Sequence, residues 1–487
     1  MSKSFFKTFI HDLGDPDTTV ASDGTASSEF TGYIDTGSYI LNAAISGSLY
    51  GGIPNNKAVI FAGDPATGKT FFALGIVKSF LNENTDGHVF YFDTESAVTN
   101  EMLTTRGIDI TRVAKSEPDS IEKFRHIAYK TLDAYTQLPE DKRFPLLMVL
   151  DSLSALPSKK ETEDMANEKD VRDMSKATLI KAAFRVLRLK LAKAKVPLIV
   201  TNHVYAVIGC LKGDANIIMA DGSIKNITDV VVGDTVKTLD GTQPVTELFQ
   251  YNVTDTYEIA FEDGTTVAAT PNHKFLTTDG RWVRADELRE TDEIRVGLST
   301  ERSSMKITSI TKQTAPVTVY DFTVQDAHHY FLSNGVVSHN SYFPTKEMAG
   351  GQGAKYAADT IVFLSKKKDR DADKSVVGNI VKARMMKSRL TKEETAVETR
   401  ILFDGGLDRY YGILDMAIAQ GCVKKVSTRY EFPDGSKVFE KAILREPEKY
   451  FTKDVLDCVE VYVKEHFLYG SSGTSMITDD ELEAESE

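Results

Sequence analysis

Hydrophobic and polar positions alternate in two different ways along this chain of 487 residues. From about residue 38 to 209, short apolar runs alternate with stretches in which apolar residues recur every three or four positions. The runs predict strands at 58–63, 89–95, 145–152 and 196–203, and the longer period predicts helices at 70–81 and 178–195. In the second helix, the period places Leu179, Ala183, Val186 and Leu187 on one face. Strands that alternate with helices favour a doubly wound, mostly parallel α/β sheet.

The segment 210–340 follows another pattern. It offers no helix longer than two turns, and its β-branched residues alternate with polar ones, as in TYEIAFEDGTTVAAT. Asp-Gly pairs recur at 221–222, 240–241, 263–264 and 279–280, and such pairs favour tight hairpin turns. Strand-like runs of the α/β kind resume at 359–367, 378–387 and 397–406. The pattern therefore predicts an α/β domain that is interrupted by a small all-β module.

These patterns divide the chain into five expected parts. They are a polar lead-in that takes part in oligomerisation, the first part of the core, the β module, the second part of the core, and a C-terminal domain with an acidic tail. The corresponding ranges are 1–37, 38–209, 210–340, 341–410 and 411–487.

The net charge of −13 is spread unevenly. The module 210–340 carries 11 basic and 19 acidic residues, and the final DDELEAESE carries six acids. The rest of the chain is close to neutral, so the total charge does not exclude a local DNA-binding surface.

Cysteine content and hydropathy indicate a cytoplasmic protein. Cys210, Cys422 and Cys458 form no CxxC pair and no disulfide framework, so we expect Cys422 and Cys458 to be small core residues. No apolar run approaches the roughly 20 residues that cross a bilayer, and the first residues lack the pattern of a secretory signal.

The stretch GDPATGKT matches the phosphate-binding pattern G-x-x-x-x-G-K-[ST] between a predicted strand and a predicted helix. Its residues are Gly63, Asp64, Pro65, Ala66, Thr67, Gly68, Lys69 and Thr70. Backbone N–H groups of such a loop face phosphate oxygens, Lys69 would neutralise the β- and γ-phosphates, and Thr70 would ligate Mg²⁺. The motif therefore predicts ATP and Mg²⁺ binding.

Two acids follow predicted strands of the same domain. Asp151 ends the apolar run LLMVL, where it would hold the Mg²⁺ shell together with Thr70. Glu95 ends VFYFDTE, where it would polarise an attacking water. A strand-end cap at Asp151 and a solvent-facing acid at Glu95 are the simpler alternatives.

The order of GDPATGKT, YFDTES, VLDSLSAL, TNHVYAVIG, SYFPTKEMAGGQGAK and FDGGLDRYYGILDMA resembles the RecA-type strand-exchange ATPases, and among them the phage UvsX recombinases. The resemblance implies that Glu95 is the catalytic carboxylate and that His203 senses the γ-phosphate. It implies that Lys387 and Arg389 cap ATP across a subunit boundary; a solvated basic strand end is the alternative.

Two segments match the mobile DNA-binding loops of that family. The first is 157–176, whose many acids make a poor electrostatic contact. The second is VYAVIG continued by SYFPTKEMAGGQGAK, in which Tyr342, Phe343 and Lys346 would contact a single strand by stacking and charge. This second loop is continuous only if Gly209 is joined to residue 341.

The edges of the β module carry the chemistry for such a joining. The thiol of Cys210 can attack the carbonyl of Gly209 and convert that amide to a thioester, and the hydroxyl of Ser341 can receive the chain. The side chain of Asn340 can attack its own carbonyl and cut the bond before Ser341, with His339 beside it to move protons.

Four further residues of the module would support these steps. His273 would protonate the leaving nitrogen at Cys210, and Thr270 would help to hold the developing oxyanion. Asp321 and His328 would tune the nucleophiles. A zinc site formed by Cys210 and the histidines at 328–329 is the alternative, but the spacing fits no closed ligand set.

The segments CLKGDANIIMADGS, GTTVAATPNHKFL, VYDFTVQDAHHYFLSNG and VVSHN, followed by Ser341, resemble the self-splicing inteins of the Hint fold. The distance from Gly280 to Tyr320 leaves no room for an endonuclease, which implies a mini-intein.

Together, the patterns and resemblances predict the precursor of an ATP-dependent recombinase. The spliced protein would coat single-stranded DNA as a filament of its own copies, pair it with a homologous duplex, and cooperate with mediator and single-strand-binding proteins. The alternatives are a ring helicase or another RecA-fold motor, and a Hint module that only cleaves or is inactive.

Overall fold

The computed structural model describes residues 2–14, 18, 20, 32–167, 175–207, 209–297, 303–340, 345–349, 352–371 and 373–470. The chain forms two compact units. The outer unit comprises Met1–Val204 and Met348–Glu487, and the inserted unit comprises Tyr205–Glu347. None of the helices in the described ranges is long and apolar enough to cross a membrane.

The chain before the insert alternates helices and strands. The helices are α1 Ser2–Asp12, α2 Tyr39–Ser46, α3 Lys69–Glu83, α4 Asn100–Thr105, α5 Ile121–Gln137, α6 Lys159–Ala166 and α7 Lys176–Ala194. The strands are β1 Tyr33–Ile34, β2 Ile53–Pro54, β3 Ala58–Gly63, β4 His88–Asp93, β5 Val113–Ser116, β6 Leu146–Asp151 and β7 Leu198–Val207.

The inserted unit is built from short strands and two long ones. They are β8 Leu211–Lys212, β9 Asn216–Ile218, β10 Ile224–Asn226, β11 Thr235–Thr238, β12 Gly241–Phe261, β13 Thr266–Ala269, β14 Lys274–Leu276, β15 Trp282–Arg284, β16 Glu293–Arg295, β17 Ser304–Val324, β18 His329–Phe331 and β19 Val337–His339.

The chain after the insert returns to mixed structure. Its strands are β20 Thr345–Met348, β21 Thr360–Arg370, β22 Val376–Lys387, β23 Ala396–Leu402, β24 Gly406–Leu407, β25 Lys424–Val426, β26 Arg429–Glu431 and β27 Lys437–Val438. Its helices are α8 Gln352–Ala357, α9 Ile413–Ala419, α10 Glu440–Arg445, α11 Pro447–Tyr450 and α12 Lys453–Phe467.

The main sheet of the outer unit has the strand order β24-β23-β22-β21-β3-β7-β6-β4-β5, and β20 pairs with β7. The strands from β21 to β5 run parallel, and β22 to β24 extend the sheet with antiparallel pairs. Successive side chains of a strand point to opposite faces, so Val59 and Phe61 enter one core and Ile60 and Ala62 the other. The predicted doubly wound sheet is confirmed.

The second core contains α7, and here the predicted helix face is partly wrong. Val186 is 41% exposed, whereas Ile180, Ala183, Phe184, Leu187 and Leu191 are buried. These residues repeat at three- and four-residue steps, and Val186 lies about 100° around the helix from Leu187. The buried face of the helix therefore includes Leu187 and leaves its neighbour Val186 exposed.

The inserted unit is an all-β fold, as the sequence pattern predicts. The 21-residue strands β12 and β17 pair along most of their length, in a sheet of order β11-β12-β13-β8-β17-β16. A second sheet has the order β15-β14-β19-β18. The glycines of the four Asp-Gly pairs have φ between 81° and 119°, which is the left-handed geometry that tight hairpins require.

Two cysteines differ from expectation. Cys422 and Cys458 form a disulfide across 36 residues of sequence, instead of lying in the core as separate thiols. Cys422 follows α9 and Cys458 lies in α12, and Ile413 of α9 and Val459 of α12 belong to the same core. Packing of these helices brings together two residues whose spacing carries no disulfide signal.

Candidate functional sites

The phosphate-binding loop lies between β3 and α3, as predicted. A Cβ at Gly63 would lie 2.6 Å from the carbonyl oxygen of Leu364 and 2.7 Å from Thr67 Oγ1, so only glycine fits. Ala66 and Gly68 have φ of 59° and 93°, and left-handed residues in such a loop turn backbone N–H groups into a concave cradle. This shape, at the N-terminus of a 15-residue helix, fits a chain of phosphates.

Lys69 is held inside this loop. Its ammonium donates to the carbonyl oxygens of Gly63 at 2.9 Å and Asp64 at 2.8 Å, and it lies 3.4 Å from Nδ1 of His203. Burial lowers the pKa of Lys69, and the carboxylates of Glu95, Asp151 and Asp64 oppose that effect. A buried cation with these neighbours is suited to pairing with phosphate.

The carboxyl ends of the parallel strands bring the other predicted residues to the same edge. Gly63 is level with His203 on β7, and Asp93 is level with Asp151 on β6. Buried Asp151 accepts hydrogen bonds from the hydroxyls of Tyr91, at 2.8 Å, and of Thr201. Asp151 and Thr70 supply only one carboxylate and one hydroxyl, a donor set that fits Mg²⁺ completed by phosphate and water oxygens.

Glu95 and His203 are joined by a hydrogen-bond network that the sequence did not reveal. His203 Nε2 lies 3.2 Å from Glu95 Oε1, and Ser152 Oγ donates to the same oxygen at 2.5 Å. Ser154 Oγ is 3.0 Å from Ser152 Oγ and accepts from the backbone N–H of His203 at 3.3 Å. These serines follow β6 and orient the carboxylate towards the loop that holds Lys69.

Lys387 and Arg389 lie at the other edge of the sheet. Lys387 donates to the carbonyls of Lys355 and Ala358, both at 2.8 Å, before β21 begins. Arg389 pairs with Asp359 at 3.1 Å, and Asp359 also binds the backbone N–H of Ala58 at the start of β3. The chain therefore does not bring these cations to its own phosphate-binding loop.

The expected DNA loops are described only in part. In the first, Ser158 and Glu161 form a capping box at the start of α6, and residues 168–174 lie outside the described ranges. In the second, Lys346 is exposed on β20, and Tyr342 and Phe343 lie outside the described residues.

The first edge of the inserted unit is buried between β13 and β17. Cys210 is 1% exposed, its N–H donates to Thr270 Oγ1 at 2.9 Å, and its carbonyl accepts from the N–H of Thr270 at 2.8 Å. The hydroxyl of Thr270 thus lies on the nitrogen side of the 209–210 peptide, and not beside the carbonyl oxygen where the oxyanion predicted to be its partner would form. Burial, and then the charge of Asp321, raise the pKa of the Cys210 thiol, which keeps it protonated.

His273 packs directly against the 209–210 peptide. A Cβ at Gly209 would lie 2.8 Å from Cα and 3.3 Å from Nδ1 of His273, so the absence of a side chain lets the ring approach. Burial lowers the pKa of His273 to about 4. A hydrogen bond between the protonated ring and the backbone of Gly209 opposes this effect. At neutral pH the ring is therefore a neutral base beside the first junction.

Asn340 lies at the second edge, directly after β19. It is fully buried, and its N–H donates to the carbonyl of His328 at 3.1 Å. Neither polar atom of its side-chain amide has a hydrogen-bond partner within the described part of the chain. A buried amide in this state is costly and unusual, and its nitrogen is not tied to another acceptor.

His339 precedes it with its ring against Trp282, at a centroid distance of 4.7 Å. Burial, and then the charges of Lys274, His273 and His328, lower the pKa of His339 to about 4, against an opposing hydrogen bond with the backbone of Asn340. His328 lies nearby, 6.5 Å away between ring centroids. Ser341 lies outside the described residues.

No group of three or more His, Cys, Asp or Glu side chains capable of holding a metal occurs in the described ranges. Imidazole Nε2 of His329, which was part of the zinc alternative, accepts instead from the backbone N–H of Leu239 at 2.9 Å.

Comparisons with known proteins agree with this division. Residues 9–240 match the RecA N-terminal domain, and residues 215–341 match the pretoxin HINT domain. The region shared by both matches, 215–240, belongs to the inserted unit.

Among curated proteins, the chain is similar to the recombination and repair protein of Enterobacteria phage T4. The two are 33% identical over 166 residues, which cover 34% of this chain and 41% of the relative. It is 29% identical to protein RecA of Malacoplasma penetrans, over 39% of this chain and 54% of the relative. The chain thus spans about half the length of these relatives.

Solved structures with a likeness to the chain include a DnaB intein from Synechocystis sp., at 30% identity and a TM-score of 0.25, over 27% of this chain and 99% of that one. The outer unit therefore carries a RecA N-terminal domain, and the unit inserted into it carries a HINT domain.

Proposed function

We propose that the chain is the precursor of an ATP-dependent DNA strand-exchange protein, and that residues 210–340 excise themselves and join Gly209 to Ser341. One observation carries the proposal. The points at which the chain leaves and re-enters the outer unit are hydrogen-bonded to each other, through Asn202 Nδ2 to the carbonyl of Ala349 and the N–H of Ala349 to the carbonyl of His203, both at 2.9 Å. The flanks therefore already lie side by side, as ligation requires.

The first step is an acyl shift at the 209–210 peptide. His273 accepts the thiol proton of Cys210 as the sulfur attacks the carbonyl carbon of Gly209. The carbon–nitrogen bond then breaks, and the proton passes from His273 to the departing nitrogen, which becomes the amine of Cys210. The hydrogen bond from the Cys210 N–H to Thr270 holds that nitrogen in place during the transfer.

The later steps belong to the second edge. The hydroxyl of Ser341 attacks the thioester and releases the thiol of Cys210, which leaves a branched ester. The side-chain nitrogen of Asn340 then attacks its own carbonyl carbon, closes a succinimide and frees the amine of Ser341, with His339 moving the proton. That amine takes the acyl group from the ester oxygen and forms the new peptide bond.

The outer unit supplies nucleotide chemistry. Bound Mg²⁺, held by Thr70 and Asp151, would neutralise charge between phosphate oxygens. Lys69 leaves its loop carbonyls to contact phosphate, Glu95 orients the attacking water, and His203 links that carboxylate to the loop. Lys387 and Arg389 would act on the nucleotide of the next subunit in a filament on DNA, since they are held where β21 and β3 begin and their own loop follows the end of β3.

Intact mass spectrometry of the purified product tests the splicing proposal. We expect a 356-residue protein that contains a Gly209–Ser341 peptide and a free 131-residue fragment. The Cys210→Ala/Asn340→Ala chain is the matched control and should remain at 487 residues. Separate fragments without the joined peptide would identify a Hint domain that only cleaves, and an intact wild-type chain would overturn the proposal.

DNA strand exchange by the joined protein tests the second part of the proposal, the ATP-dependent activity of the outer unit. We expect ATP-dependent pairing of single-stranded DNA with a homologous duplex, lost in Lys69→Ala. ATP-driven directional unwinding without pairing would identify a helicase motor instead.

A further inference from the structure

We propose that Ser338 and Tyr330 are positioning residues that fix the protonation pattern of His273 and link the first splice junction to the strand that carries the second. The inference rests on the splicing function proposed above. It concerns hydroxyls to which neither the sequence motifs nor the splicing chemistry gives a role.

A line of buried side chains runs from His273 to Asp321. His273 Nε2 lies 2.7 Å from Ser338 Oγ, and Ser338 stands directly opposite Tyr330 in the pairing of β18 with β19. Tyr330 Oη donates to Asp321 Oδ1 at 3.2 Å. All four side chains are at most 3% exposed, so water does not compete for these bonds.

The carboxylate of Asp321, at one end of this series of side chains, decides which group donates in each hydrogen bond. A buried carboxylate accepts, so the Tyr330 hydroxyl hydrogen points to Asp321. The phenol oxygen then accepts from the Ser338 hydroxyl, which matches the lowering effect of Ser338 on the pKa of Tyr330, set against the larger rise from burial. Because the hydrogen of Ser338 is used, its oxygen accepts from Nε2–H of His273.

This pattern leaves Nδ1 of His273 unprotonated. In the neutral ring, Nδ1 makes no hydrogen bond within the described residues, and it is the ring atom 3.3 Å from the Cβ position of Gly209, whose backbone stabilises the ring once it is protonated. The lone pair therefore faces the peptide that must be broken. Without the line, the ring would exchange between two protonation patterns, and only one of them can accept the proton of Cys210.

The same line joins the two junctions. Ser338 pairs with Phe275 of β14, which is two residues after His273, and Ser338 stands two residues before Asn340. A movement of β19 as Asn340 reacts would therefore displace the hydrogen-bond partner of His273. The orientation of His273 in turn depends on the pairing of β19 with β14. The arrangement favours the first step only while the second junction is in place.

The test uses the full chain with Asn340→Ala, which prevents cleavage at the second junction. Thiol-induced release of residues 1–209 then measures formation of the thioester. Ser338→Ala should slow this release about 10–100-fold, because proton transfer by a correctly oriented base is worth that much or more. Tyr330→Phe, which keeps the ring volume, should slow it less, and Ser338→Thr, which keeps the hydroxyl, should restore it. Ser333→Ala, an exposed serine of the same unit, is the matched control.

A second readout does not depend on splicing. In the Cys210→Ala/Asn340→Ala chain labelled with ¹⁵N-histidine, the His273 ring should show protonated Nε2 and unprotonated Nδ1, and Ser338→Ala should give a mixture. A protonated Nδ1 in the parent, or release at the parental rate in a folded Ser338→Ala chain, would overturn the inference. Failure of the Asn340→Ala parent to release residues 1–209 would count against splicing alone, while the ring signals still decide the role of Ser338.

Discussion

Two histidines of the inserted unit are held neutral by burial. The pKa of both His273 and His339 is lowered to about 4, whereas an unfolded histidine titrates near 6.5. Below pH 6.5 the unfolded state therefore binds more protons than the folded one. The free energy of unfolding falls as the pH is lowered towards 4, and by pH 5 each histidine contributes a loss of about 2 kcal/mol.

The single tryptophan makes this loss measurable in the full chain. Trp282 is the only one of the 487 residues of its type, and it lies in the inserted unit against His339. We expect urea unfolding of the Cys210→Ala/Asn340→Ala chain, followed by Trp282 fluorescence, to shift to lower urea between pH 7 and 5. His273→Gln should remove part of the shift. An unfolding free energy that is unchanged over this range would contradict the assignment.

At the residue scale, the sequence could predict the role of a residue where its type and position alone indicate that role. Cys210 and Asn340 stand at the ends of a segment whose pattern changes abruptly, so the sequence indicates both. Ser152, Ser338 and Tyr330 carry no such signal, because a hydroxyl gains its role only from the partners that folding brings within hydrogen-bond distance. The side of the peptide that Thr270 contacts likewise depends on β13 lying beside β8.

At the scale of elements, the apolar runs indicated β3, β4, β6, β7, β21, β22 and β23 of the main sheet, but not the short edge strand β5, which carries no such run. Strand β3 begins and ends where the apolar run does, at Ala58 and Gly63. The disulfide could not be predicted, because it depends on α9 and α12 sharing one core rather than on any spacing.

The disulfide should stabilise the C-terminal part of the outer unit. Closing a loop of 36 residues removes conformational entropy from the unfolded chain, worth about 3–4 kcal/mol. In Cys458→Ser, we expect backbone amides of α12 to exchange with solvent faster than in the parent, as measured by hydrogen exchange and mass spectrometry.

Thiol labelling checks the premise of that prediction. The denatured Cys210→Ala/Asn340→Ala chain should take up no alkylating label without reductant and two labels after reduction, since Cys210 is absent from it. Two labels without reductant would mean that Cys422 and Cys458 remain thiols in the purified protein. The exchange rate of α12 should then be the same in Cys458→Ser and the parent.

At the scale of the whole molecule, the alternation of strands and helices predicted a doubly wound sheet and its interruption, but not the strand order. The order decides which residues share an edge. Register places Gly63 beside Leu364 and Ile361 beside Lys387, so the phosphate-binding loop and Lys387 belong to opposite edges of the outer unit. No sequence spacing reveals this separation.

The separation of Lys387 from the phosphate-binding loop allows the proposed assembly of subunits to be tested. If Lys387 serves the nucleotide of a neighbouring copy, each working site combines the loop of one subunit with the basic edge of the next. Lys69→Ala and Lys387→Ala should each lose DNA-stimulated ATP hydrolysis. An equal mixture should recover up to about one quarter of the parental rate, because one in four head-to-tail interfaces then pairs an intact loop with an intact Lys387.

This recovery separates assembly from misfolding. Lys387 also holds the carbonyls of Lys355 and Ala358, so the single variant alone cannot distinguish a damaged fold from a missing cation. A misfolded chain gains nothing from mixing, and a site completed within one chain gains nothing either. A mixture of Lys69→Ala with Glu95→Gln is the control, since both changes fall on the loop side of the interface and no pairing of those subunits restores a complete site. Equal rates in the two mixtures, with Lys387→Ala inactive alone, would mean that Lys387 serves its own chain or only its fold. An active Lys387→Ala chain would mean that Lys387 has no part in the site.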